Sequence, residues 1–405
     1  MTIETTNSKT PAAVAEAILN PKPKKRILII GGGYAGFYTA WKLEKLLSKN
    51  EAEVTLVDPL PYMTYQPFLP EVAAGSIEPR HVIVSHRQHL KKTRLVSGRM
   101  SKVNHKAKKA TISIEGGKSR VIEYDQIVMT AGAVTRTFPI KGIAEQAIGM
   151  KTVEEAVEVR NRLIGNFERA AALPKSSKLR KRLLTTVVVG GGFAGIEAFA
   201  ELRSAATKLV GYYPEIDFEE VEFHLIEAMG RIMPEVSLKT SLWVIDNLAK
   251  RNAIVHLDTQ LTSADNGIVK LSTGETMESD LIIWTAGVAA APVAKNCDFP
   301  LDARFRVMAN TKLQIVDGEK VIAGAWTAGD VSAVPDLSGG GVGGFCVPNA
   351  QHAVRQAKLL AKAIRAPMWE WHILLGYALA ALLLVRIVLF FTRSGRESLR
   401  DLKSA

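Results

Sequence analysis

The sequence predicts an α/β protein in which one supersecondary unit, strand then glycine turn then helix then strand, occurs twice. Three observations lead there. Gly31-Gly32-Gly33-Tyr34-Ala35-Gly36 and Gly190-Gly191-Gly192-Phe193-Ala194-Gly195 have the same spacing, and each follows a short β-branched run. Each is followed by a helical pattern and then by a strand ending in an acid, Asp58 or Glu227. At 405 residues the chain is also too long for one ordinary core.

Taken in order, residues 1–24 read as a tail: the stretch to Asn20 carries acids and no long apolar core, which excludes a secretory signal. Ile27 to Ile30 is the first strand, Phe37 to Leu47 the first helix, and Val54 to Val57 the second strand. Strand-like segments then lead to Ile127 through Gly132. The second unit has a strand at Thr186 to Val189, a helix at about Ile196 to Leu202, and a strand at Val221 to Ile226 after an insertion around Lys208 to Glu220. Leu281 to Gly287 closes it, in parallel with the earlier Thr130-Ala131-Gly132. Gly324 to Asp330, a glycine-rich loop from Ser338 to Gly344 and a helix from Asn349 to Ile364 follow.

In such a turn the first glycine permits the tight bend, the second admits a pyrophosphate close to backbone N–H groups, and the third lets helix and strand pack together. The free N–H groups and positive dipole end of the helix then face two phosphates. An acid at the end of the next strand accepts hydrogen bonds from ribose hydroxyls. Gly31, Gly33 and Gly36 pair with Asp58 in this scheme, and Gly190, Gly192 and Gly195 with Glu227. One such motif is weak; two with the same context predict two Rossmann-like dinucleotide sites. A carboxylate at Glu227 repels a 2′-phosphate and favours NADH over NADPH; the nearby Arg231 either softens that preference or, the reading favoured, is a surface arginine.

Composition narrows the partners. The formal net charge of +12 suits an anionic surface such as membrane lipid, but the basic residues are scattered and form no stripe interleaved with aromatics, so no nucleic-acid role is expected. The two cysteines, Cys297 and Cys346, form no metal-ligand spacing, and no metal site is expected.

With these motifs in place, the set Gly31–Gly36, Thr130-Ala131-Gly132, Gly190–Gly195, Thr285-Ala286-Gly287 and Gly329-Asp330 resembles the two-dinucleotide-binding-domain flavoproteins of the pyridine nucleotide–disulfide reductase superfamily. Within it the chain is most similar to the type II NADH dehydrogenases, the non-pumping NADH:quinone oxidoreductases. Four stretches carry this: Tyr65 to Gly75, similar to the family's flavin-proximal strand and turn; Gly195-Ile196-Glu197; Thr285 to Pro292; and Asn349 to Gln356. Together they span Lys25 to Ile364.

The resemblance implies that the first unit holds FAD and the second NADH. The FAD domain is then discontinuous, 25–148 and 302–366, with the NADH domain, 149–301, inserted. It implies contacts to FAD from Gly31, Gly32, Gly33, Tyr34, Ala35, Gly36, Asp58, Pro67, Ala131, Gly132, Gly329 and Gln351, with Asp330 on the ribityl chain. NADH falls to Gly190, Gly192, Phe193, Ala194, Gly195, Glu197, Glu227, Ala286 and Gly287. Hydride passes from nicotinamide C4 to flavin N5 at roughly 3–3.5 Å and on to a membrane quinone in a ping-pong cycle. Glu197 and Gln351 are the expected catalytic residues. Glu197 lies in the first turn of the second helix, where a charge also contributes roughly 0.3–1 kcal/mol of helix stability.

No cysteine occurs between Pro59 and Gly75, where disulfide reductases keep their redox pair, so the acceptor must approach the flavin directly. Cys346 reads as a small buried hydrophobe, and His352 and Met63 as structural. A soluble redox partner, a sulfide:quinone reductase-like chemistry or a flavin sensor without turnover stay open as alternatives.

The chain departs from the family after Ile364, where relatives insert a β-rich segment; quinone access and a homodimer are both left open by this. Instead Ile373 to Phe391, 19 residues with Arg386 as the sole charge, forms an apolar run. As a helix it is about 28 Å long, close to the ~30 Å hydrocarbon thickness. Residues 367–405 are therefore expected to anchor the chain at the cytoplasmic face of the cell membrane, with Trp369 and Trp371 at the interface.

Overall fold

The computed structural model describes residues 24–48, 50–339 and 342–366. The apolar run from Ile373 to Phe391 and the tail 1–23 lie outside them. Among the described residues no helix is long and apolar enough to cross a membrane.

Two parallel sheets organise the chain. The first has six strands in the order Gln314–Asp317, Lys320–Thr327, Gln126–Met129, Lys25–Ile30, Ala52–Asp58, Arg94–Ser97, parallel except at the Gln314–Asp317 edge. Its strands are buried on both faces, as parallel strands must be when helices cover each side. Ile27, Ile29 and Leu56 enter one core with Phe37 and Ala40, while Leu28, Ile30 and Val57 enter another on the opposite face. Residues from both ends of the chain build this sheet, so the chain leaves it after Met129 and returns at Gln314.

The second sheet has five parallel strands ordered Ala147–Ile148, Leu281–Trp284, Thr185–Val189, Glu222–Ile226, Ala253–His256. Each sheet is accompanied by a three-stranded antiparallel meander, placed in sequence just before the strand Gln126–Met129 in the first lobe (Arg99–Asn104, Lys109–Ser113 and Ser119–Glu123) and just before Leu281–Trp284 in the second (Leu261–Ser263, Ile268–Leu271 and Thr276–Glu278). Between the lobes run two antiparallel connecting strands, Ala133–Thr135 and Val288–Ala290.

Three local expectations change. The second glycine helix runs from Phe193 to Val210 rather than stopping near Leu202, because Ala206 continues its buried face and Leu209 and Val210 pack against the same core. The helix thus takes in the first residues of the insertion, Lys208 to Val210, and a 3-10 turn, Phe218–Glu220, ends it. The Tyr65–Gly75 segment is not a strand: Pro67 opens a 3-10 turn, Gln66–Phe68, and Pro70 sits in the first turn of a helix, Leu69–Ala73, positions where proline's missing N–H costs nothing. That short helix packs against helices Val153–Ala171 and Phe193–Val210, so a segment from the first lobe's sequence is buried in the second lobe's core.

Candidate active site

The two glycine turns have the same geometry. Gly31 and Gly190 have φ of +99° and +109°, a left-handed conformation that a side chain resists. Their N–H groups donate to the carbonyls of Val57 and Ile226, both at 2.8 Å, closing turn onto strand. A Cβ on Gly36 would strike the Gly31 carbonyl oxygen, and one on Gly195 the Gly190 carbonyl oxygen. Gly33 and Gly192 face open space, with nothing within 4 Å of a Cβ placed there. Both are helix N-caps without a side-chain cap, on helices Tyr34–Leu46 and Phe193–Val210. Open space at Gly33 and Gly192, where each helix starts with no side-chain cap, leaves room for an anionic pyrophosphate to meet the orphan N–H groups.

The acids are placed identically. Asp58 accepts from the Gly32 N–H at 2.5 Å and the Leu60 N–H at 2.7 Å. Glu227 accepts from the Gly191 N–H at 2.5 Å and the Met229 N–H at 2.8 Å. Two backbone donors orient each carboxylate and leave lone pairs for ribose hydroxyls. Burial raises the Asp58 pKa, opposed by the Gly32 and Leu60 N–H groups. Arg231 donates to the Met233 and Val236 carbonyls at 3.3 and 2.6 Å, so its guanidinium is engaged with its own loop.

The Ala-Gly turns meet at the seam between lobes. The Gly132 carbonyl accepts from the Ala291 N–H at 3.0 Å, and the Gly287 carbonyl from the Arg136 N–H at 3.1 Å. Ala131 and Ala286, both half-buried, precede them. Gly329, at φ +76°, packs against Ala35 and Ala353 and donates its N–H to Gln356 Oε1 at 2.8 Å. Beside it Asp330 faces Lys151 across the seam, Nζ to Oδ2 3.5 Å, and the Lys151 carbonyl accepts from Gln66 Nε2 at 3.1 Å. Pro67 and Phe68 are exposed next to this group, and the Tyr34 ring lies between those of Tyr38 and Tyr65, with centroids 6.4 and 5.9 Å away.

Glu197 is partly open to solvent in the first turn of the second glycine helix, beside exposed Phe193 and Ala194. Enclosure of its carboxyl raises its pKa, and the Glu71 carboxylate adds to the shift. Gln351 is exposed at the start of the helix over residues 350–366, which Asn349 caps by accepting the His352 N–H at 2.7 Å. Of that motif's two glutamines, Gln356 is the one bonded to Gly329.

Sequence reasoning passed over several residues that build the clefts. Thr130 Oγ1 donates to the Ile30 and Gly31 carbonyls at 3.0 Å each, and Thr285 Oγ1 does the same to Val189 and Gly190 at 2.9 and 3.1 Å. Their signal was a threonine at the same place in both repeats. Buried His86 donates from Nε2 to the Gly32 carbonyl at 2.9 Å, and nothing in its local sequence announces that. Lys151, Gln356 and Glu71 were missed as well.

The cysteines are far from a redox pair. Cys297 packs against the core on one face of the first sheet and Cys346 against that on the other. Burial pushes the Cys297 thiol up to about 12 and raises Cys346 too, the opposite of what a reactive thiolate requires.

Residues 25–357 match the family described as pyridine nucleotide-disulphide oxidoreductase. The chain belongs to this family. Among its relatives, a type II NADH:quinone oxidoreductase of Mycobacterium tuberculosis is 30% identical over 364 residues, which cover 87% of this chain and 75% of that one. A type II NADH:quinone oxidoreductase of Haemophilus influenzae is 29% identical, covering 84% of this chain and 80% of that protein. In fold, the chain is similar to NDH2 from Plasmodium falciparum, solved in complex with NADH, with TM-score 0.76 at 19% identity over 85% of this chain and 83% of that one. Like other members of the pyridine nucleotide-disulphide oxidoreductase family this chain is an oxidoreductase, but its two thiols are half-buried and lie on opposite faces of the first sheet.

Proposed function

We propose that this chain is an FAD-dependent, non-pumping NADH:quinone oxidoreductase, with FAD on the lobe formed by residues 25–148 and 302–366 and NADH on residues 149–301. The observation that carries the reading is the duplicated cleft: two helix N-termini without side-chain caps, each beside an oriented carboxylate, on lobes joined through the paired strands Ala133–Thr135 and Val288–Ala290, with no cysteine pair to relay electrons. FAD, when bound, supplies a two-electron carrier that accepts a hydride from NADH.

The chain's own residues then have separable tasks. Gly31, Gly32, Gly33, Tyr34, Ala35 and Gly36 cradle one pyrophosphate, Asp58 holds its ribose, and Pro67, Ala131, Gly132, Gly329, Asp330 and Gln351 line the rest of the flavin seat. Gly190, Gly192, Phe193, Ala194 and Gly195 cradle the other pyrophosphate, with Glu227 on the adenosine ribose and Ala286 and Gly287 beneath the nicotinamide. Glu197 works at the nicotinamide and quinone side. The tail 367–405 and the net charge of +12 support attachment to an anionic membrane on its cytoplasmic side.

The test is anaerobic mixing. NADH bleaches the flavin absorbance, and a ubiquinone analogue, presented in anionic vesicles, restores it. Bleaching without recovery on quinone rejects the reading.

Glu227 decides between nicotinamides. Replacing it (Glu227→Ala) removes the repulsion of a 2′-phosphate, and the kcat/KM preference for NADH over NADPH falls by about tenfold, roughly 1.4 kcal/mol. An unchanged ratio places the ribose acid elsewhere.

A further inference from the structure

The two glycine turns differ in how they hold one peptide. In the first turn the Gly31 N–H goes to the Val57 carbonyl at 2.8 Å and the Gly32 N–H to Asp58 at 2.5 Å. In the second, Gly190 and Gly191 spend theirs on Ile226 and Glu227 at the same distances. The next donor along is the N–H of Gly33 or Gly192, the two glycines that border open space. Every peptide among the described residues is trans, so a C=O and the N–H that follows it point opposite ways. Whatever holds the carbonyl of Gly32 or Gly191 therefore sets the direction of that donor.

The Gly191 carbonyl is held by backbone. It accepts from the Met233 N–H at 2.8 Å, and the Ile232 side chain lies against Gly191. The Gly32 carbonyl is held instead by a side chain, His86, whose Nε2 is 2.9 Å away and whose ring lies against Gly32. His86 stands 54 positions along the chain, at the start of helix His86–His89, outside the strand–turn–helix–strand unit. It is only 3% exposed, its ring stacks on Phe37 with centroids 6.0 Å apart, and its own N–H donates to the Pro61 carbonyl at 3.0 Å. A carbonyl only accepts, so Nε2 carries the proton. Burial lowers the His86 pKa, against the Gly32 bond and the Asp58 charge, and keeps the ring neutral.

We propose that His86 is a positioning residue for FAD: by holding the Gly32 carbonyl it aims the Gly33 N–H at the pyrophosphate, a task the second lobe gives to its own backbone. The inference rests on the placement of FAD at the first turn. The other contacts of the turn, from Thr130 and Asp58, have counterparts in Thr285 and Glu227, so the imidazole is what sets the first cradle apart.

The experiment uses the full chain loaded with FAD and two replacements of His86. His86→Gln keeps an N–H donor within reach but gives up the ring that stacks on Phe37. His86→Leu keeps apolar packing but removes the donor. FAD release is followed as free-flavin fluorescence after dilution. It speeds up about tenfold in His86→Leu, which leaves a buried carbonyl unpaired, and stays within about twofold of the unsubstituted rate in His86→Gln. NADH affinity is unchanged in both, because the second turn has its own backbone donor. Nitrogen-15 spectra of the loaded protein show the His86 proton on Nε2.

The opposite order, fast release from His86→Gln and normal release from His86→Leu, makes His86 a packing residue and overturns the proposal. A proton on Nδ1, or a parallel loss of NADH affinity, overturns it as well. If His86→Leu releases FAD at the normal rate, the flavin content of Gly36→Val locates the failure. A colourless Gly36→Val protein keeps FAD at the first turn and removes His86 alone; a yellow one removes both.

Discussion

Gly36→Val yields a colourless protein. The third glycine of the first turn is where helix Tyr34–Leu46 crosses strand Lys25–Ile30 most closely, and a Cβ there collides with the Gly31 carbonyl oxygen and lies 2.7 Å from Thr130 Oγ1. Neither obstacle is a flexible side-chain end. The carbonyl belongs to the turn itself, and the threonine hydroxyl is tied to two backbone carbonyls. The helix therefore moves off the strand, and its N-terminal N–H groups leave the cleft in front of Gly33. We expect FAD affinity to fall by at least 10²-fold, about 2.7 kcal/mol, and stability to fall by the roughly 1–3 kcal/mol typical of overpacking. The flavin-to-protein absorbance ratio after purification and titration of the apoprotein with FAD both report it. Wild-type flavin content in a folded Gly36→Val protein removes the first turn from FAD binding.

Gly195→Val gives the complementary result: a yellow protein that NADH does not bleach. The same collision occurs in the second lobe, where a Cβ meets the Gly190 carbonyl oxygen and lies 2.6 Å from Thr285 Oγ1. The first glycine turn is untouched, so flavin stays bound, while NADH affinity falls by at least 10²-fold. Chemical reduction with dithionite bypasses the nicotinamide, and quinone then restores the colour at close to the normal rate. The pair of variants separates the two sites, because the altered turns lie on different sheets and share no partner. Bleaching of Gly195→Val by NADH at the normal concentration dependence contradicts the second site.

The cradles were legible before the structure because each is a local device. A left-handed glycine, a backbone bond to the adjoining strand and an acid two backbone donors away all lie within one strand–turn–helix–strand unit, so spacing alone exposes them. The repeat strengthened the signal, since Gly31 and Gly190, or Asp58 and Glu227, occupy equivalent places.

What the amino-acid order could not reveal depends on residues far apart in the chain. Thr130 clamps a turn about 100 positions upstream, Gln356 reaches back to Gly329, and Lys151 meets Asp330 across the seam. Periodicity also misjudged helix Phe193–Val210, whose last turns are apolar only in relation to the core they join. Most consequential is Leu69–Ala73. Its apolar residues announce burial without saying where, and only packing decides that they lie against the second lobe. Short-range backbone geometry is written in adjacent residues; which surfaces close on one another is settled by the competition of all buried faces at once, and that competition exists only in three dimensions.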